Sequence, residues 1–163
     1  MAVNLFSTYS TDENRVTASI LAVLQAISLD HTQRLLGAIL NASEFELVNF
    51  QNQPGKGGPG IPDATIQSSC RILVETKIKR NAIKDSTIDQ IKRHLEKLDK
   101  ATESVRLLIV LTPDDTCPVA LNSLESDRWV WVSFADLDQA IEGMLEDRHE
   151  VFAERELFLL REL

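Results

Sequence analysis

Pro62-Asp63-Ala64-Thr65-Ile66-Gln67-Ser68-Ser69-Cys70-Arg71-Ile72-Leu73-Val74-Glu75-Thr76-Lys77 is the stretch on which the reading of this chain turns. Asp63 opens a short apolar run, Ala64 to Ile66, and Glu75 and Lys77 end a longer one, Cys70 to Val74. Two strands, over 64–67 and 70–77 and joined by a tight Ser68-Ser69 turn, carry one acid on the first and an acid plus a lysine on the second. Side chains alternate along a strand, so Leu73, Glu75 and Lys77 share one face and Ile72, Val74 and Thr76 the other. A carboxylate beside an apolar β segment is costly unless something compensates it. Two carboxylates and an ammonium so placed form a layout for holding a divalent cation beside a scissile phosphate.

Upstream, Pro54-Gly55-Lys56-Gly57-Gly58-Pro59-Gly60 holds four of the six glycines and reads as a loop. It is no phosphate-binding P-loop, because no Gly-Lys-Ser/Thr ends it and a strand follows. It delivers the chain into Pro62-Asp63, either as a hairpin linker or as a flap over the site. Phe45 to Phe50 alternates like a strand. Ser10-Thr11-Asp12-Glu13 starts a helix, with Ser10 and Glu13 in capping-box spacing and Val16, Ile20, Leu24 and Ile27 at helical period. Glu13 falls on the face of that apolar stripe, from which it reaches the sheet end or merely closes the capping box; Asp12 replaces it if the helix phase is shifted. A second helix spans about 32–40, with Leu35, Leu36, Ile39 and Leu40 apolar.

Downstream, Asp85-Ser86-Thr87 starts a helix through Ile88, Ile91, Leu95 and Leu98. Val105 to Leu111 is a near-continuous apolar run, as in a strand buried on both faces. A short helix over 119–124, a strand over 129–132 and helices over 134–145 and 150–160 complete the order. The last helix carries Val151, Phe152, Leu157, Phe158, Leu159 and Leu160. It packs back on the domain, pairs with a second copy, or leads into a further domain.

The 163 residues suit one domain, and 44% hydrophobic content is enough for a core. No apolar run approaches the roughly 20 residues of a membrane helix, and residues 1–10 lack the basic and apolar regions of a secretory signal. Cys70 and Cys117, a strand thiol and a loop thiol far apart, fit a reducing, cytoplasmic setting. His31, His94 and His149 are scattered and read as surface or helix-flank residues, and no Cys/His cluster has zinc spacing. The net charge of −8 disfavours nucleic acid at first sight. Its distribution changes that, because residues 71–100 hold nine Lys/Arg against five Asp/Glu. Positive charge therefore gathers where the candidate site sits.

Pro-Asp followed by Glu-x-Lys, inside a helix–strand–strand–strand–helix–strand order, resembles the PD-(D/E)xK nuclease superfamily. The resemblance covers roughly residues 10–135 and includes the segment Glu13-Asn14-Arg15-Val16-Thr17. It implies an α/β, restriction-endonuclease-like core: a mixed sheet of four to five strands in αβββαβ order, flanked by helices, with extra C-terminal helices. The nuclease-like domain would span 1–148 and the C-terminal helix 149–163. Implied metal ligands for Mg2+ or Mn2+ are Asp63, Glu75 and the Thr76 carbonyl, with Glu13 in support. Lys77 would orient the attacking water, lower its pKa or stabilise the transition state. Gln90 matches a glutamine found in several branches, although the residue four on is His94 where those branches carry tyrosine. Lys79, Arg80, Lys92 and Arg93 become expected phosphate contacts. The expected activity is metal-dependent hydrolysis of DNA, with RNA possible, in nucleic-acid processing or defence against foreign DNA. A homodimer, or association through the C-terminal helix, is expected by analogy. The alternative is a non-catalytic nucleic-acid-binding or assembly module on the same fold.

Overall fold

The apolar run Ile72-Leu73-Val74 and the run Leu107 to Leu111 are too short for helices and too apolar for a surface, so they pair inside a sheet. The structure is a computed structural model that describes residues 12–40, 47–52, 64–68, 70–103 and 105–163. Its elements are α1 (Asp12–Ala26), α2 (Leu29–Leu40), β1 (Leu47–Asn52), β2 (Ala64–Ser68), β3 (Cys70–Thr76), α3 (Asp85–Asp99), β4 (Val105–Thr112), a 3-10 turn (Val119–Ser123), β5 (Trp129–Ser133), α4 (Phe134–Glu146) and α5 (Glu154–Glu162).

The protein is α/β. Strands β3, β4 and β5 form a parallel three-stranded sheet, with Glu75 opposite Val110 and Val110 opposite Trp131, flanked by the five helices. The parallel sheet is thus three-stranded, smaller than the mixed sheet of four to five strands that was expected. The mixed character enters only through backbone pairing, which places β2 antiparallel on β3 and β1 antiparallel on β2.

Each face of the parallel sheet carries its own core. Ile72, Val74, Ile109, Leu111 and Val132 pack with Leu21, Leu24, Leu35, Leu36, Ile141 and Leu160, from α1, α2, α4 and α5. Leu73, Leu108 and Val110 pack with Ile88, Ile91, Leu95 and Leu98 of α3 and with Leu121. The alternation read from sequence therefore holds along β3. On β4 only the second half is buried on both faces, and Val105 is exposed. Ser133 caps α4 in a reciprocal capping box with Asp136. Asn81 takes a left-handed backbone, φ 55°, and its N–H donates to Asp114 Oδ1 at 2.8 Å, which fixes the turn between β3 and α3.

Helix α5 packs on the domain, with Leu160 2% exposed in the larger core. It begins at Glu154 and not at 150, because the Glu156 carboxylate turns back to accept the Ala153 N–H at 2.9 Å and so sets the helix start there. The expectation of surface histidines fails at His31, which is 5% exposed. Its Nδ1 lies 3.0 Å from Glu156 Oε1, its Nε2 lies 3.1 Å from Glu150 Oε2, and its ring stacks on Phe152. Glu156 Oε1 also accepts the Ser28 N–H at 2.6 Å. His31 lies on the same helical stripe as Thr32, Leu35 and Leu36, which is why it is carried inward.

Burial works to raise the Glu156 pKa. The Ala153 N–H, the His31 side chain and the Ser28 N–H outweigh it and bring the value from 4.5 to about 2. A carboxyl depressed on folding contributes stability that is complete above the unfolded value and is lost as pH falls through the folded one. Unfolding free energy by urea denaturation should therefore drop between pH 4.5 and about 2, by on the order of 3 kcal/mol from this group. Glu156→Gln should be less stable than the parent at pH 6, with most of that difference gone by pH 2. Parallel pH curves for the two proteins would show that the network does not form in solution.

Candidate active site

Strand β3 ends where its two faces meet different helices. On one face Thr17 of α1 donates its hydroxyl to Thr76 Oγ1 at 2.8 Å, with the Glu13 carbonyl oxygen as its alternative acceptor at 3.2 Å. Both threonines are buried. That contact seats the first turn of α1 over the strand end and brings Glu13 within reach of Lys77. On the other face Glu75 is 0% exposed. Gln90 Nε2 donates to Glu75 Oε2 at 2.8 Å, and His94 Nε2 stands 3.2 Å from the same oxygen.

The second oxygen, Glu75 Oε1, has no hydrogen bond of good geometry. Lys77 Nζ lies 2.9 Å from it and 3.2 Å from Glu13 Oε2, so one ammonium bridges two carboxylates carried by two elements. Burial pulls the Lys77 pKa down. The Glu75 charge, and after it Glu13, outweigh burial and hold it above the ordinary 10.5. Lys77 is therefore a retained cation. The backbone N–H of Lys77 donates to the Leu111 carbonyl at 2.9 Å, which keeps the residue in register with β4 just beyond the strand.

Glu13, Glu75, Lys77 and Gln90 of the residues singled out in the sequence thus come together. Asp12 does not; it is exposed and pairs with Arg15 at 3.7 Å. Asp63, with Pro62, the glycine-rich loop and Ser10, lies outside the described residues. Lys79, Arg80, Lys92 and Arg93 are exposed. Arg80 is engaged by Asp115 through both of its terminal nitrogens, and Asp115 and then Asp114 raise its pKa. Lys92 borders a hollow with Glu96 and Asp99 whose lining contains none of Glu13, Glu75 or Lys77.

His94 is the site residue that sequence reasoning missed. It was expected on a helix flank and is 0% exposed. The signal was available: Thr87, Ile91, His94 and Leu98 recur at intervals of three and four, so His94 belongs to the buried stripe of α3.

Among the described residues no group of three His, Cys, Asp or Glu is arranged to hold a metal ion. The donors present do suit a hard cation in kind. Glu75 Oε1 is a buried carboxylate oxygen, Glu13 faces the same point, and among the described residues the Lys77 ammonium balances them both. A cleft of about 770 Å³ adjoins the site through Asp12 and Ile78, the neighbours of Glu13 and Lys77. Its walls are Val16, Ile20, Phe134 and Ile141, and its charges are Asp12, Asp138 and Glu162 against Arg15, so it is not a track for phosphates. Compared with protein-family models, curated proteins and solved structures, the chain shows no match.

Proposed function

We propose that the chain is a metal-dependent nuclease of the PD-(D/E)xK type, on a restriction-endonuclease-like core, that hydrolyses phosphodiester bonds of DNA. One observation carries this reading: a fully buried glutamate at the carboxyl end of a parallel strand has one oxygen anchored by α3 and the other turned to a lysine two residues on, which also reaches a glutamate of the first helix. Ligands of open α/β sheets bind outside the carboxyl ends of the strands, which is where these groups gather.

Glu75, Asp63 and the Thr76 carbonyl, with Glu13 in support, are the groups that would hold Mg2+ or Mn2+. Such an ion supplies Lewis acidity to a phosphate oxygen. Lys77, held cationic by its two carboxylates, does not act as a base. It orients a water through its N–H donors and offsets the negative charge that develops on the phosphorus oxygens. Gln90 fixes Glu75 and does not touch substrate. Lys79, Lys92 and Arg93 are exposed along the segment that follows the site and supply phosphate contacts, and Arg80 joins them on leaving Asp115.

The test is cleavage of supercoiled plasmid, labelled single-stranded DNA and RNA with Mg2+, Mn2+ or EDTA, with the Asp63→Ala/Lys77→Ala double variant alongside. The expected result is nicking of DNA that requires metal and vanishes in the variant. Cleavage of RNA alone would move the substrate class. A folded parent that neither cleaves nor gains thermal stability with Mn2+ would put the non-catalytic binding or assembly module in front.

A further inference from the structure

We infer that His94 is a positioning residue that acts through Glu75, deciding which carboxylate oxygen is tied to helix α3 and which is turned to the site. The role toward metal rests on the nuclease reading; the hydrogen-bond arrangement does not.

Gln90 and His94 are four residues apart on α3 and therefore lie on one face. Their Nε2 atoms converge on a single oxygen, Glu75 Oε2, at 2.8 and 3.2 Å. The terminal torsion of a glutamate is broad and roughly two-fold, so a lone carboxylate exchanges its two oxygens freely. Two donors on one oxygen remove that freedom. Oε1 is then left without a hydrogen bond, 2.9 Å from Lys77 Nζ. That oxygen, paired with the Lys77 ammonium, is the one presented to the site.

The imidazole itself is 0% exposed, and its Nδ1 has no hydrogen-bond partner among the described residues. A proton on Nδ1 would be an orphaned buried donor, and it would leave the Nε2 lone pair facing a carboxylate lone pair. The tautomer with its proton on Nε2 avoids both costs. Full burial then restricts rotation of the ring.

Two measurements test the inference. The imidazole 15N spectrum of the metal-free protein should place the His94 proton on Nε2, and a proton on Nδ1 overturns the inference whatever the metal does. Mn2+ affinity by calorimetry is then compared for the parent, His94→Leu and His94→Gln. His94→Leu should bind about 10- to 100-fold more weakly, as when an outer partner of a metal ligand is removed. His94→Gln, whose amide nitrogen reaches the Nε2 position, should recover most of the loss. Gln90→Leu, at a half-buried position on the same oxygen, reads the same effect if His94→Leu does not fold. Parent-like affinity in the leucine variants overturns the inference, as does a folded His94→Gln that binds no better than His94→Leu. An Nε2–H tautomer in a parent that binds no Mn2+ sinks the nuclease reading and the positioning role together, and leaves His94 as a buried partner of Glu75.

Discussion

Glu75→Gln should lower metal-dependent cleavage by about 10²- to 10⁴-fold, the range for losing one positioned group at a reacting centre. The substitution keeps shape and volume. Its amide oxygen can still accept from Gln90 and His94, so the anchor on α3 survives while the charge is lost. The amide NH2 then stands where Oε1 faced the Lys77 ammonium, so Lys77 keeps only Glu13 of its two carboxylates among the described residues. Initial cleavage rates and Mn2+ binding should fall together, and the melting curve should remain cooperative. A Glu75→Gln protein that cleaves within threefold of the parent would remove the site from β3 altogether.

The second large effect is on stability and holds whether or not the protein is an enzyme. Lys77→Met should cost about 3–5 kcal/mol in EDTA, the usual penalty for removing one partner of a buried ion pair. The reason is the asymmetry of the pair. Lys77 keeps some exposure, with 14% of its side chain accessible, whereas only 1% of the Glu75 side chain is. Without the ammonium, the Glu75 charge faces, among the described residues, the dipolar Gln90 amide and the His94 ring. The Glu75→Gln/Lys77→Met double variant should lose less than the two single losses added together, with a coupling energy of about 1–3 kcal/mol. Urea denaturation of the four proteins measures it. A Lys77→Met variant within about 0.5 kcal/mol of the parent, the range of ordinary surface substitutions, would show that the bridge is not formed in solution. It follows that lost cleavage in a Lys77 variant, as in Glu75→Gln, must be judged beside its stability.

Much of the architecture was legible because local period and burial agree. Cys70 to Val74 and Val105 to Leu111 read as strands from their apolar runs, and β3 and β4 lie within a residue of the expected bounds. The alternation Leu73-Glu75-Lys77 placed Glu75 and Lys77 on one side, and the structure puts Leu73 and Glu75 against α3. Glu13 was legible from its phase on α1. The basic cluster was legible as a cluster, but not its pairing: Arg80 and Asp115 are 35 residues apart, and no periodicity links them.

Sequence by itself determined the α/β class and the element order and singled out Glu13, Glu75 and Lys77, because each depends on neighbours within one or two turns or strand steps. The tertiary structure alone decided which atoms meet. Lys77 bridges elements 64 residues apart, Gln90 and His94 reach back 15 and 19 residues to one oxygen, and His31 joins Glu156 across 125 residues. Contacts of that range are set by how the helices dock on the sheet. Docking is driven by non-directional burial of apolar stripes, which fixes the positions of polar groups only after the whole core has closed.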